Sequence, residues 1–281
     1  MEFVKMHGLG NDFIIVNNLQ NQWEPAFLQG LAARLCQRNF GVGADGLVLL
    51  NGSRAAAFEM RIFNADGSEA EMCGNAIRCL AKYVWERDLT REQTFSFETL
   101  GGVKQVSLIL QGQAVEAVKV AMGKPLFNST EIPLAGSPRR AVNEKICVEN
   151  TELTFTGVNM GNPHCVIFVP SLQRIPWQSW GAKLETDPLF PRRTNVEFVE
   201  IINPQKVEMK VWERGAGPTL ACGTGACAAA VAGVLTKRLG NKVEVHLPGG
   251  VLKISWKQGE EVYMQGPATE VFGGRISLQD F

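Results

Sequence analysis

Two short segments of the chain, Cys73-Gly74-Asn75-Ala76 and Cys222-Gly223-Thr224-Gly225, set a cysteine directly before a small, helix-opening turn. The N–H groups of a first helical turn have no partner inside the helix, and with the macrodipole they form an anion site. The same terminus favours a thiolate. A cysteine with a pKa of about 8.5 is only a few per cent ionised at neutral pH, and moving it to about 7 takes roughly 2 kcal/mol. A helix terminus supplies about 0.3–1 kcal/mol, and up to about 2 where it is partly buried. The motif is therefore expected to make a working base with little help. Two such groups on opposite faces of one carbon would invert a stereocentre. One thiolate removes a proton, the opposing thiol returns one, and the roles exchange in the reverse direction. The helix termini would hold the substrate carboxylate and the charge that develops beside it.

An internal repeat supplies the elements that must position these sulfurs. Phe58–Asn64 and Val207–Glu213 both alternate as strands do and both end on a polar residue. Cys73 follows Asn64 by nine residues and Cys222 follows Glu213 by nine, so both pairs stand 149 apart. Gly10-Asn11-Asp12-Phe13 precedes Gly161-Asn162-Pro163-His164 by 151, and Asn195 follows Gly46 by 149, at the head of a second strand-like run, Val196 to Ile202. Landmarks in one order at nearly one offset predict two homologous halves. Each half is expected to be a mostly antiparallel β-sheet around one principal buried helix, an α+β fold with the active site in the cleft between them.

The first helix is read from Ala76, Ile77, Leu80, Ala81, Val84 and Trp85, with Arg78, Lys82 and Arg87 on other faces. The second, Gly225 to Leu235, is small and apolar all round and ends at Lys237-Arg238-Leu239-Gly240, cations and then a glycine stop. The first half is taken as residues 1–120 plus 268–281, where the closing strand from Thr269 returns. The second half is taken as 121–267, with the seam near Met122-Gly123-Lys124-Pro125.

Composition sets the class. In 281 residues, 28 basic and 28 acidic side chains cancel, which argues against a nucleic-acid footprint or an anionic membrane surface. The start carries no apolar signal core, and the run Ala226 to Leu235 is about half of what a bilayer requires. Seven cysteines without framework spacing read as unbridged thiols in a reducing compartment, hence a cytoplasmic protein. Cys36, Cys147 and Cys165 are expected to be small buried hydrophobes, and Cys79 and Cys227 buried helix residues. Three histidines, with no HxxxH or CxxC spacing, give no metal site. His7 and His246 read as structural. His164, beside the repeated Gly-Asn, is the one with a functional position. The loop Phe40 to Gly46 lacks a full phosphate-binding signature and reads as a tight turn between strand and helix.

At these residues the chain resembles the diaminopimelate epimerases. The matching motifs are Lys5-Met-His-Gly-Leu-Gly-Asn-Asp-Phe13, Phe63-Asn-Ala-Asp-Gly-Ser68, Cys73-Gly-Asn75, Met160-Gly-Asn-Pro-His164, Glu213-Arg-Gly-Ala-Gly217 and Ala221-Cys-Gly-Thr-Gly225. They extend to the turn at Pro248-Gly-Gly250, so the likeness covers nearly the whole chain. It implies two pseudo-symmetric halves of that fold and a reaction that uses neither pyridoxal phosphate nor metal. Cys73 and Cys222 would then be the acid/base pair interconverting LL- and meso-diaminopimelate, in lysine and cell-wall precursor synthesis. Gly74, Asn75, Gly223 and Thr224 would hold the α-carboxylate by backbone N–H groups. Asn11, Asn64, Asn162, Asn195, Glu213 and Arg214 would recognise the distal amine and carboxylate, and His164 and Glu213 would tune the thiols. The resemblance also implies a homodimer acting on a small-molecule substrate, with no nucleic acid or membrane partner.

Two positions depart from the pattern. Gly46 stands where some members carry a glutamine that reaches substrate, and Phe272 where many carry a tyrosine at the dimer contact. A racemase of proline or hydroxyproline shares Cys222-Gly-Thr-Gly225 but normally has histidine where Asn75 stands, and its ring lacks a charged distal end. A catalytically silent or thiol-redox protein of the same fold is the remaining alternative.

Overall fold

A computed structural model describes residues 1–20 and 23–278 of the chain. Residues 21–22 and 279–281 of the expected first half thus lie outside the described residues. The chain divides into two compact units, Met1–Val120 with Gln265–Phe281, and Ala121–Met264.

In the first unit, strand Glu2–Gly8 pairs antiparallel with Thr269–Arg275 on one side and with Asn11–Asn17 on the other. Asn11–Asn17 runs parallel to Gly46–Asn51, which lies antiparallel to Phe58–Asn64. A second parallel pairing joins Phe58–Asn64 to Thr94–Glu98, and antiparallel neighbours Lys104–Gln111 and Ala114–Gly123 follow. The second unit repeats the pattern. Glu144–Val148, Thr151–Asn159 and Pro163–Val169 are antiparallel, and Pro163–Val169 runs parallel to Asn195–Asn203. Lys206–Glu213 is antiparallel to that strand and parallel to Lys242–Leu247, which turns back into Gly250–Ser255. The units are α+β, mostly antiparallel, with two parallel junctions each.

Each sheet is covered on both faces, which explains near-continuous burial in strands such as Gly46–Asn51. Helix α1 (Pro25–Leu35) seats Leu28, Leu31 and Leu35 on Ile14, Val16, Leu47 and Leu49 of the first sheet. Helix α2 (Gly74–Glu86) lies against the strands from its other side. In the second unit, α3 (Trp177–Glu185) packs Trp180 and Leu184 on Phe155, Ile167, Val196 and Phe198. Helix α4 (Gly223–Leu235) is buried along nearly its whole length. A methyl at Gly233 would lie 2.2 Å from Leu239, so only glycine lets that leucine close the end of α4.

Several expectations need correction. Among the described residues each unit adds a second helix to its principal one, and α4 begins two residues earlier than its apolar run. The left-handed turn that ends α4 falls on Lys237 (φ 59°), ahead of the glycine expected to stop it. The loop from Phe40 to Gly46 joins the end of α1 to strand Gly46–Asn51. Cys147 is exposed, on a strand whose alternate residues Ile146 and Val148 take the core.

Candidate active site

Cys73 and Cys222 are both N-cap residues in extended conformation, with φ −136° and −115°, and each opens a thirteen-residue helix. The extended cap turns the first N–H groups of the helix, from Gly74 and Asn75 or from Gly223 and Thr224, away from helical bonding. Here the two units are alike. Around the sulfurs they differ.

In the first unit, the partly exposed Cys73 thiol donates to Asn11 Oδ1 at 3.8 Å. The same oxygen accepts from Asn75 Nδ2 at 3.1 Å, while Asn11 Nδ2 donates to Asp45 Oδ2 at 2.6 Å. Behind Asn75 stands Arg78, off the apolar stripe of α2 and yet fully buried. Its Nη2 donates to Asn75 Oδ1 and its Nη1 to Gly74 O, both at 2.8 Å, and Nε reaches Pro267 O at 3.2 Å. The long aliphatic stem lets a guanidinium lie under the helix start and fasten it to the closing segment. Asp45 also accepts from Arg38, as does Asp12, which is salt-bridged to Lys5 at 2.8 Å. Burial pushes the Asp12 carboxyl upward, but hydrogen bonds and charge from Arg38 and Lys5 outweigh it and hold the pKa at about 2. Asn64 is exposed at a strand end, where its Nδ2 donates to Ser68 Oγ at 3.0 Å, and it bonds to none of this network.

In the second unit Cys222 is buried, and its sulfur accepts from Gly225 N–H at 3.3 Å and lies 3.5 Å from Thr224 Oγ1. Glu213, at the end of the adjoining strand, accepts from Thr219 Oγ1 and is close enough for its charge to act on the thiol. Desolvation, then the charges of Glu213 and Glu197, push the Cys222 thiol far up, against the weaker pull of Thr224 and the Gly225 N–H. At Cys222, burial and two carboxylates thus act against the pull that a helix terminus exerts on a thiol. Burial likewise raises Glu213 above the ordinary carboxylate range.

His164 is fully buried. Its Nδ1 donates to Glu197 Oε1 at 2.7 Å, and its Nε2 lies 2.8 Å from Asn162 Oδ1. Asn195 Nδ2 donates to Pro163 O at 2.8 Å, and its Oδ1 accepts the Arg214 backbone N–H at 3.0 Å, so Asn195 sets the turn that presents Arg214. The Arg214 side chain is exposed. The structure thus joins Asn11, Asn75 and Cys73 in one network, Asn162 and His164 in a second, and Thr224 and Cys222 in a third, with the charge of Glu213 acting on its thiol.

Glu197, Arg78 and the Lys5–Asp12–Arg38–Asp45 cluster were not singled out from the sequence. Glu197 had a signal, since a lone acid in Val196-Glu-Phe-Val199 faces a core. At Gly46 an added Cβ would lie 2.9 Å from Phe63 O, so this strand is built without a side chain there. His7 accepts the Gly10 N–H through Nδ1 at 3.3 Å, which is turn chemistry. Among the described residues no group of His, Cys, Asp and Glu is placed to hold a metal ion, no disulfide forms, and no helix is long and apolar enough to cross a membrane.

A family model described as diaminopimelate epimerase matches residues 3–127 and 156–271, which include both cysteines and every residue of the three networks. A diaminopimelate epimerase from Pelotomaculum thermopropionicum is 53% identical over 98% of this chain and 98% of its own length. One from Moorella thermoacetica is 52% identical over 99% of this chain and all of its own. Among solved structures, a hydroxyproline epimerase from Agrobacterium vitis superposes with a TM-score of 0.72 at 14% identity, over 99% of this chain and 92% of that one, a likeness of fold. Since the model spans both halves of the repeat and both relatives match from end to end, the chain belongs to the diaminopimelate epimerase family.

Proposed function

We propose that this protein is a diaminopimelate epimerase interconverting LL- and meso-2,6-diaminopimelate by proton transfer between the α-carbon and two cysteines. The observation that carries the reading is the duplicated cysteine N-cap, one sulfur before each thirteen-residue helix, in a member of that family. One thiolate takes the α-proton and becomes a thiol, and the C–H electron pair passes into the carboxylate-stabilised carbanion. The other thiol gives its proton to the opposite face, and its S–H pair stays on sulfur. Atoms and charge balance, and the two sulfurs end with exchanged protonation.

Backbone N–H groups of Gly74, Asn75, Gly223 and Thr224 would hold the α-carboxylate, because they belong to the first turns of α2 and α4, where a helix presents its positive end. Asn11, Asn64, Asn162, Asn195, Glu213 and Arg214 would read the distal amine and carboxylate, a zwitterion that requires amides, one anion and one cation. His164 and Glu213 would tune the thiols. A thiolate/thiol pair needs reducing surroundings, so the reaction is assigned to the cytoplasm, in the supply of lysine and peptidoglycan precursor. A homodimer belongs to the same reading, supported by the exposed Val271 and Phe272 on the closing strand, and light scattering on the purified protein tests it.

The activity test is proton NMR of LL-diaminopimelate in D₂O with chelator present and no pyridoxal phosphate added. Loss of one α-proton signal with appearance of the meso isomer is the expected result. No exchange with diaminopimelate overturns the reading, and exchange with proline instead would move the protein to the proline racemase type.

A further inference from the structure

Glu197 belongs to none of the roles given so far, yet it lies at the centre of the second unit. It is fully buried, and while Oε1 is bonded to His164 Nδ1 at 2.7 Å, Oε2 has no hydrogen-bond partner. A carboxylate kept in this state is costly, and an apolar side chain would fill the same space more favourably.

The repeat shows what that apolar solution looks like. Ile15 lies opposite Val48 in the first unit as Val166 lies opposite Glu197 in the second, and Phe13 lies opposite Gly46 as His164 lies opposite Asn195. Glu197 therefore takes the place of Val48, His164 that of Phe13, and Gly225 that of Ala76, each third after its N-cap cysteine. Phe13, Val48 and Ala76 are all buried and apolar. Three positions have changed together, from an apolar set to an acid, an imidazole and a missing methyl. The missing methyl makes room, because a Cβ at residue 225 would stand 2.6 Å from Glu197 Oε1 and 3.2 Å from Cys222 Sγ. Oxygen and sulfur thus stand no more than about 6 Å apart, within the range at which one charge shifts another's proton affinity.

We propose that Glu197 is a positioning residue for the epimerisation, which fixes the His164 ring and keeps Cys222 protonated in the resting enzyme, so that Cys222 begins the cycle as proton donor and Cys73 as acceptor. The proposal rests on the function given above. The groups that act on Cys222 are Glu213 from strand Lys206–Glu213, Glu197 from Asn195–Asn203, and the Thr224 hydroxyl and Gly225 N–H of α4, while His164 from Pro163–Val169 is bonded to Glu197 and acts on Glu213. With the sulfur buried and two acidic side chains brought to it by neighbouring strands, Cys222 keeps its proton. In the first cycle the α-proton goes to the Cys73 thiolate, and the Cys222 S–H proton goes to the other face. After product leaves, the protons return to the starting arrangement by exchange with solvent.

The test reads the thiol directly. Rates of iodoacetamide alkylation at Cys222 are followed against pH by peptide mass spectrometry, with exposed Cys147 as reference, alongside kcat and KM. Glu197→Gln keeps the shape and a carbonyl acceptor for His164 while removing the charge. It is expected to lower the midpoint of Cys222 alkylation by about one pH unit, about tenfold in rate at a fixed lower pH. It is also expected to lower kcat by about tenfold while KM stays within about twofold. Should that variant not fold, the triple change H164F/E197V/G225A copies the packing of the first unit, and the same shift in alkylation is expected. An unmoved Cys222 profile in whichever variant folds overturns the proposal. Because alkylation needs no substrate, a shifted profile in a protein whose wild type fails to epimerise diaminopimelate overturns the function and leaves the Glu197–Cys222 coupling standing.

Discussion

Helices α2 and α4 have the same length, the same cap and the same place in the repeat, but they are surrounded by opposite charge. The first turn of α2 rests on a buried guanidinium, Arg78, which bonds the carbonyl of Gly74 and the amide of Asn75. The first turn of α4 contains only small residues and has two carboxylates, Glu197 and Glu213, brought to it by neighbouring strands. Duplication preserved the backbone device that binds an anion and diversified the shell that sets proton affinity. The two halves of the repeat thus carry thiols in unlike surroundings, as the proposed reaction, with one donor and one acceptor at each moment, would require.

The comparison can be broken most severely at the sulfurs. Cys73→Ala and Cys222→Ala should each lower turnover by at least about 10²-fold, a low estimate for removing an acid/base group, as followed by α-proton exchange. Residual turnover above about one part in a hundred in both variants would end the two-base assignment. Arg78→Ala should act on stability, because it removes the donors bonded to two backbone carbonyls and one amide oxygen in a buried site. A loss of about 3 kcal/mol is expected in urea unfolding, while the conservative Arg78→Lys recovers only part of it.

Reciprocal changes at equivalent positions sharpen the contrast. Gly225→Ala drives a methyl toward Glu197 and Cys222 and should depress kcat about tenfold or more, whereas Ala76→Gly in the first unit should lower stability by about 1–2 kcal/mol with little change in kcat. The smallest effect concerns acid. The Asp12 carboxyl is held at about 2, below its ordinary value, so its ion pairs contribute stability at neutral pH. That contribution is complete above the unfolded-state pKa and is lost as pH falls from about 4 toward 2. In Asp12→Asn this part of the acid dependence of thermal unfolding should disappear.

Much of this architecture is legible in the sequence because the repeat is spelled out by distinctive residues at nearly one spacing. Cysteine, glycine and asparagine at a constant offset locate both helix starts and both candidate sulfurs. Strand alternation then locates most of the sheet. Helices α1 and α3 escape that reading. Leu28, Leu31 and Leu35 do carry a helical stripe after a proline, but α3 is short and its stripe is little more than Trp180 and Leu184. Arg78 escapes outright, and Glu197 leaves only the trace of a lone acid in an apolar run, without its role. Charge in a sequence predicts exposure, and only tertiary structure reveals a helix start that a cation can bridge or a missing methyl that admits an acid. The elevated thiol of Cys222 belongs with them, since the motif announces the helix dipole and is silent about the depth of burial that opposes it.

The pairing of Thr269–Arg275 with Glu2–Gly8 has a consequence in time. The main chain of Met1 and Ile276 is also hydrogen-bonded in both directions, at 2.7 and 2.8 Å. As the ribosome works from one end to the other, the first sheet is the earliest to emerge and the last to be completed. Residues 121–264 can close on themselves while Glu2–Gly8 still lacks its outer neighbour. Closing so long a loop adds little to the equilibrium cost, because that cost grows only logarithmically with length, but distant pairings slow the search for the native state. Throughout synthesis the nascent chain therefore displays an unpaired edge, and another emerging copy of Thr269–Arg275 is the strand best matched to occupy it wrongly.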